Sequence, residues 1–514
     1  MGSENLKTHY STTPPLQYSI TPTIIMTTDA IRFVDTTIRD GHQSLWAESM
    51  TTGMMLPVAE AMDRAGFDAI ELISSSHLKK CVRELKEDPW ARVKLLSQRI
   101  KNTPLRLNAG RFSAFDVTPR SMYGLFMERM AANGIREARI SEEWNELEGW
   151  EWKTKVSRAV GINPVLNIIY SVSPKHTDEY FAERTRQAAS LKVNRLCLKD
   201  PGGLLTPERV RTLVPIVFAN ANGIPVELHT HCTTGLGPLC CLEAVKLGIK
   251  IVNTALPPLA DGSSNPSLFN VAKNLRALGY QTLIDEELLK PVSDHFTYIA
   301  KREGFPIGAP VEYDYAQYQH QVPGGMISNL RSQLKKVGLE NKVDQALEET
   351  IRVRAELGYP IMVTPLSQFV GSQAAINVIV GERYKEVTDQ IIQYALGYWG
   401  KEGAELMAPE VKAKILDRPR AKEWAERPPP EPSVAELRKK MNAENCSDEE
   451  FLLRWNLDVK EIEEMKAAGA PKEYLTANQP LVKLIDALSQ RKDYRQIVIQ
   501  KGEMVVSLNR GASA

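Results

Sequence analysis

The stretch Arg195-Leu196-Cys197-Leu198, the run Pro207–Ala221 and then Val226-Glu227-Leu228-His229 decide the fold of this chain. The outer pieces are short and strand-like. The middle piece carries apolar residues at helical spacing. Strand, helix, strand in that order is a βαβ unit with parallel strands. The alternation continues in both directions. Upstream, Ile31–Asp35, Ala69–Ile73, Leu105–Asn108, Glu137–Ile140 and Pro164–Ile169 read as strands, and downstream Lys250–Thr254 does. Met54–Ala65, Ser121–Asn133 and Asp178–Leu191 read as helices between them. Eight such units over about 250 residues match a (β/α)8 TIM barrel in count and length. An open, doubly wound sheet would more often show a Gly-rich phosphate turn after its first strand, and none follows Asp35.

Beyond Gly279 the strand pattern ends. Glu286 to Gly400 reads as helices, with turns at Pro306, Pro310 and Pro323-Gly324-Gly325. Arg427-Pro428-Pro429-Pro430-Glu431-Pro432 reads as an extended linker or a rigid loop. Helical pattern resumes from Ser433 to Gln490, with caps at Ser433 and Ser447. Gln496–Gln500 and Met504–Leu508 around Lys501-Gly502-Glu503 form a hairpin signature. The expected division is a flexible leader (1–30), the barrel (31–300), a helical region with its linker near 427–432 (301–490) and a terminal hairpin (491–514).

Bulk properties narrow the function class. The net charge of +1 supplies no basic field for nucleic acid or an anionic membrane. No apolar run approaches the roughly 20 residues of a membrane span. Met1–Thr28 is polar and lacks the order of a secretory signal. The six cysteines form no C-x-x-C pair, so they read as reduced thiols in a cytoplasmic protein.

Four polar residues fall where one metal ion can be shared. Asp40 follows the first strand, Lys199 the sixth, and His229 and His231 close the seventh. Residues two apart on a strand face one side, and barrel active sites lie at the C-terminal rim. Each signal has a plainer reading. An Asp after a strand is commonly a helix cap, a His-x-His is often structural, and Lys199 before Asp200-Pro201-Gly202 could sit in a plain loop. In one barrel frame they converge. Imidazoles and a carboxylate suit Zn2+, Mn2+ or Co2+ better than Ca2+. Lys199 contributes only if neutral or carbamylated, because a protonated amine cannot ligate a cation.

Longer motifs carry a resemblance. Asp35-Thr36-Thr37-Ile38-Arg39-Asp40-Gly41-His42-Gln43-Ser44-Leu45, Glu87-Asp88-Pro89-Trp90, Tyr170–Thr177, Leu198–Leu205 and His229–Gly235 resemble the carboxyltransferase part of biotin-dependent carboxylases. Val322–Leu330 and Thr364–Ala374 are similar to the helical funnel of those enzymes, which follows the barrel. The resemblance implies a carboxyltransferase in which Asp40, His229 and His231 bind a divalent metal and Lys199 bridges as a carbamate. It implies that Arg39 and Gln43 touch the substrate carboxylate or the network at the metal. It also implies that Ser263, after the eighth strand, shuttles the proton between acceptor and biotin; its plainer reading is a cap of the following helix. Carboxybiotin on a carrier protein would release carbon dioxide to an enolate of a small organic acceptor.

The rim departs from that family at three loops. The family's Arg-Gly motif after the third strand is replaced by Asn108-Ala109-Gly110-Arg111. Its Phe-Arg-Val-Phe-Asp is replaced by Ala138-Arg139-Ile140-Ser141-Glu142, and its Trp-Gly-Gly by Ser74-Ser75-Ser76-His77. Arg111, Glu142 and His77 are therefore the expected substrate-binding residues, joined by Trp144, and the acceptor is expected to differ from pyruvate. No ATP-grasp region or Met-Lys-Met biotinyl hairpin is present in the sequence. Separate biotin carboxylase and biotin carrier chains are the expected partners, in a homodimer or larger assembly. The alternatives are an oxaloacetate-type decarboxylase subunit, a biotin-independent metal aldolase or Claisen-type lyase, and a non-catalytic assembly subunit.

Overall fold

A computed structural model describes residues 30–113, 115–322, 334–335, 338–426, 431–474, 484–485, 487–488, 491, 493–494, 496–502 and 504–509. Residues 1–29 of the expected leader, the motif residues Pro323–Leu330 and the linker residues Arg427–Pro430 lie outside the described residues.

Eight parallel strands close into a barrel in chain order. They are β1 (Arg32–Asp35), β2 (Ala69–Ser74), β3 (Leu105–Ala109), β4 (Glu137–Ile140), β5 (Asn163–Ile169), β6 (Arg195–Asp200), β7 (Val226–Thr230) and β8 (Ile251–Thr254). Closure is made by β1 on β8, in register from Arg32 with Ile251 to Asp35 with Thr254. Each strand lies within two residues of its expected bounds. Leu166, Ile168, Leu196, Leu198 and Leu228 turn outward into the core shared with the surrounding helices.

The inward residues of the same strands are unusually polar. Arg106 on β3 reaches across the barrel to Glu227 on β7 at 2.8 Å and holds Glu137 on β4 at 2.8 Å. Arg195 on β6 joins Glu227 at 2.9 Å and Asp68 at 2.6 Å. Burial alone would push the Glu227 carboxyl up, but Arg106 and Arg195 outweigh it and hold it far below the usual carboxylate range. A small apolar cluster of Val34, Ala69 and Ile251 completes this end. Charges fill the interior, so the barrel closes on ion pairs rather than on the apolar layers common in this architecture.

The long helical region divides in two. Helices Val343–Glu356, Leu366–Val380 and Asp389–Ala395 share a core of Val353, Leu357, Phe369, Val370, Ile391 and Trp399. Helices Val434–Lys440, Asp448–Asn456 and Val459–Ala468 return to the barrel instead, where Leu437, Phe451, Leu452 and Ile462 join its core. Helical periodicity defines an apolar stripe but not the surface that receives it. The end of the Pro-rich stretch lies along the helix Arg120–Ala132, with Ser121 Oγ donating to the Pro432 carbonyl at 2.7 Å. Gln496–Lys501 (β9) and Met504–Asn509 (β10) pair antiparallel, as the hairpin signature requires. No helix among the described residues is long and apolar enough to cross a membrane.

Trp144, from the loop after β4, is fully buried and belongs to the core of the helical region. It thereby pins that region to the barrel. Gly400 and Gly403 lie flat against its ring. An alanine Cβ at Gly403 would stand 2.3 Å from Trp144 Cζ2 and 2.9 Å from the Tyr394 hydroxyl. Gly to Ala inside a helix ordinarily stabilises by about 1 kcal/mol. Here overpacking reverses the sign, and Gly403→Ala is expected to destabilise by about 1–3 kcal/mol in urea unfolding. A gain in stability would show that the Trp144 contact yields easily.

Candidate active site

β1 delivers Asp40 through a wide helical turn, Thr37–Gly41. That turn presses on the loop after β8: a Cβ at Gly41 would meet the Leu259 carbonyl at 2.9 Å. β6 delivers Lys199, which pairs in register with His229 on β7. His231 follows two residues on. Asp40 Oδ2 lies 3.2 Å from His229 Nε2 and 3.5 Å from His231 Nε2, and the two Nε2 atoms are 3.3 Å apart. All three side chains are buried, and one donor atom from each lies within 4.8 Å of the others.

The surrounding hydrogen bonds suit these groups to a cation. His231 Nδ1 is 2.7 Å from the Ser263 carbonyl. A carbonyl only accepts, so Nδ1 carries the proton and Nε2 offers its lone pair to the cluster. His229 Nδ1 lies 3.1 Å from Asn253 Oδ1. Arg139 Nη1, which can only donate, stands closer to that nitrogen at 2.6 Å, and the Asn265 amide lies 3.3 Å from Nε2, so Asn253 does not fix this ring as Ser263 fixes His231. Burial and then Arg139 push His229 down to about 3, so its ring is neutral at ordinary pH. Burial opposes ionisation of Asp40, yet Arg39 and the two histidines hold its carboxyl well below the usual range. Burial, Arg139 and Arg39 push Lys199 down to about 7, and its amine makes no hydrogen bond or ion pair to a described residue. A buried neutral-imidazole and carboxylate set of this kind fits Zn2+, Mn2+ or Co2+.

Arg39 is committed to this network. It bonds Asp40 at 2.6 Å, Glu71 on β2 at 2.8 Å through Nε, and Gln43 at 3.4 Å. Arg139 on β4 bonds Glu71 at 2.9 Å and stands 2.6 Å from His229 Nδ1. Ser263 faces the site with its carbonyl, while its hydroxyl donates to the Ser44 carbonyl at 3.0 Å. The helix after this loop begins at Leu268 with Ser267 at its N-cap position, so Ser263 is not that cap.

The three rim residues are placed apart from the cluster. Arg111 pairs with Glu143 at 3.2 Å and lies 4.6 Å from the centre of the Trp399 ring. Glu142 is buried and accepts the backbone N–H groups of Trp144 and Glu146 at 2.9 and 2.5 Å. His77 is buried, accepts the Ser74 N–H at 3.1 Å and stacks on His42 at 4.9 Å. Sequence reading missed Glu71, Arg139 and Asn253. Strand alternation was the available signal, since each is a polar residue on an inward position of a short strand.

Two stretches match family models: residues 318–482 the conserved carboxylase domain and residues 153–295 the HMGL-like domain. A pyruvate carboxylase subunit of Methanocaldococcus jannaschii is 37% identical over 392 residues, which cover 75% of this chain and 68% of that protein. The chain belongs to the carboxyltransferase subunits of the biotin-dependent carboxylases. The 2-oxoglutarate carboxylase large subunit of Hydrogenobacter thermophilus is 33% identical, over 75% of this chain and 60% of that protein. The carboxyl transferase domain of Rhizobium etli pyruvate carboxylase, solved with pyruvate, shares the fold with a TM-score of 0.76 and 23% identity, over 86% of this chain and 77% of that one. This carboxyltransferase is accordingly an enzyme that works with a divalent metal and with biotin on a carrier.

Proposed function

We propose that this carboxyltransferase moves a carboxyl group between biotin on a separate carrier chain and a small 2-oxo acid held in the barrel mouth, with a biotin carboxylase subunit as the further partner. The observation that carries the reading is the cluster of Asp40, His229 and His231, with His231 oriented by the Ser263 carbonyl, His229 neutral between Arg139 and Asn253, and the amine of Lys199 beside them without a hydrogen bond or ion pair to a described residue. Asp40, His229 and His231 would hold the metal, which when bound supplies a charge that favours an anionic oxygen on the acceptor. Lys199, as a neutral amine, can add carbon dioxide and lose one proton. The resulting carbamate would replace a neutral amine by an anion and offset the added metal charge. Arg39 fixes Asp40 and, through Gln43, the near edge of the mouth. Ser263 would carry the proton between the acceptor carbon and biotin; a single bond to the Ser44 carbonyl holds its hydroxyl until then.

The test is transfer of labelled carboxyl from an enzymatically carboxylated carrier to pyruvate and to 2-oxoglutarate. Carrier-dependent product is the expected result. Carbon–carbon cleavage that proceeds without carrier would instead favour a metal-dependent aldolase or lyase.

A further inference from the structure

The wall opposite the metal cluster has no assigned role. It is made by Asn108 on β3, Ser141 immediately after β4 and Asn167 on β5. Asn167 Nδ2 donates to Ser141 Oγ at 2.7 Å, and Ser141 Oγ lies 3.5 Å from Asn108 Oδ1. Asn167 is fully buried, and its Oδ1 has no hydrogen-bond partner. The single Ser141 hydroxyl can pair only one end of this amide, so one end stays unpaired whichever way the amide is turned, and a bound molecule can satisfy it. Asn108 and Ser141 are part-exposed although they lie at strand ends inside a closed barrel. Solvent therefore reaches the interior at this wall. Lys199 faces it from β6: Ile169 pairs with Lys199, and Asn167 pairs with Cys197 one layer below.

The nearby guanidiniums are already committed. Arg111 is held by Glu143, and Arg39 and Arg139 by Glu71. Lys153 is held by the Ser141 carbonyl at 2.9 Å, so the wall's own side chains offer neutral amides and a hydroxyl. Ser141 can both donate and accept. Turning the Asn167 amide over lets the Ser141 hydroxyl donate to Oδ1 and frees the Nδ2 hydrogens for an incoming oxygen.

We infer that Asn108, Ser141 and Asn167 bind the end of the acceptor remote from the carbon that gains the carboxyl group, through neutral hydrogen bonds to its oxygens. The inference rests on the carboxyltransferase reading above and adds the specificity residues for its acceptor. The wall rewards an acid long enough to span from the metal cluster to β3–β5, and it replaces Arg111, Glu142 and His77 in that role.

The test uses Asn108→Ala, Ser141→Ala and Asn167→Asp in the full chain. Asn167→Asp sets a carboxylate against the acceptor's oxygens and is expected to raise the KM for 2-oxoglutarate or pyruvate at least tenfold. Asn108→Ala is expected to raise it about fivefold. The KM for the carrier and the metal content should stay at wild-type values. Acceptor KM values within twofold of wild type in all three variants would overturn the inference. Calorimetric binding of each acid to the metal-loaded chain, without carrier, separates this result from failure of transfer. Binding that Asn167→Asp abolishes supports the wall even if transfer is absent. Equal binding by the variants, or no binding of either acid to the wild type, overturns it.

Discussion

Chains carrying Asp40→Ala or His229→Ala are expected to retain less than a tenth of the wild-type divalent metal and to lose carboxyl transfer by about a thousandfold. The size follows from the geometry. Three buried donors converge on one point, so removing one leaves two and opens the site to water. A metal contributes several kcal/mol of charge stabilisation in such a pocket, and each 1.36 kcal/mol is a factor of ten in rate. Asn253→Ala should act more gently, because Asn253 is not one of the three donors and touches only His229 Nδ1 and the Arg139 guanidinium beside it. Loss of such a partner typically weakens metal affinity by about 10–100-fold. Elemental analysis of the purified proteins, beside the carrier-dependent assay, gives both readouts. Wild-type metal content in the His229→Ala protein would remove the site from consideration.

The barrel was legible because parallel strands and amphipathic helices leave distinct periods, and eight alternations leave few other architectures. Asp40, His229 and His231 were legible for the same reason: each sits at or just past the C-terminal end of a strand, where a barrel gathers its chemistry. What sequence could not give was commitment. Arg111 looked like a carboxylate binder because a lone arginine at a rim is one by default, yet Glu143 and Trp399 occupy it. Glu142 looked like a pocket acid, yet two backbone amides take one of its oxygens. Trp144 looked like a rim residue and proved to be a peg into the helical region. Such pairings join loops distant in sequence, and no local pattern encodes them. The split of the helical region has the same origin. The stripes of Phe451 and Ile462 were visible, but the barrel flank that receives them was not.

The ionic filling beneath the site leads to a second large effect. Arg106→Ala is expected to destabilise the fold by about 3–5 kcal/mol, because a buried pair broken on one side leaves a charge without compensation. Arg106 is fully buried and joins Glu227 and Glu137, so both carboxylates lose a partner while only Glu227 keeps another, Arg195. Removing both members should cost less than the sum of the single losses. The double variant Arg106→Ala/Glu227→Ala then reports a coupling of up to about 3 kcal/mol in a mutant cycle. The pH behaviour distinguishes this from plain loss of packing. The Glu227 carboxyl is held far below its ordinary range in the folded chain. Its contribution is therefore complete above the unfolded carboxylate value near 4.5 and declines only as pH falls below it. Urea unfolding at pH 5.5 and pH 8 should give the same difference between wild type and Arg106→Ala, and the difference should shrink at pH 3. A pH-independent loss through that range would mean that Arg106 acts by volume alone. Metal content in the folded variant should match wild type, because Arg106 makes no bond to Asp40, His229 or His231, and the ion pairs would then support the barrel that carries the site without belonging to its chemistry.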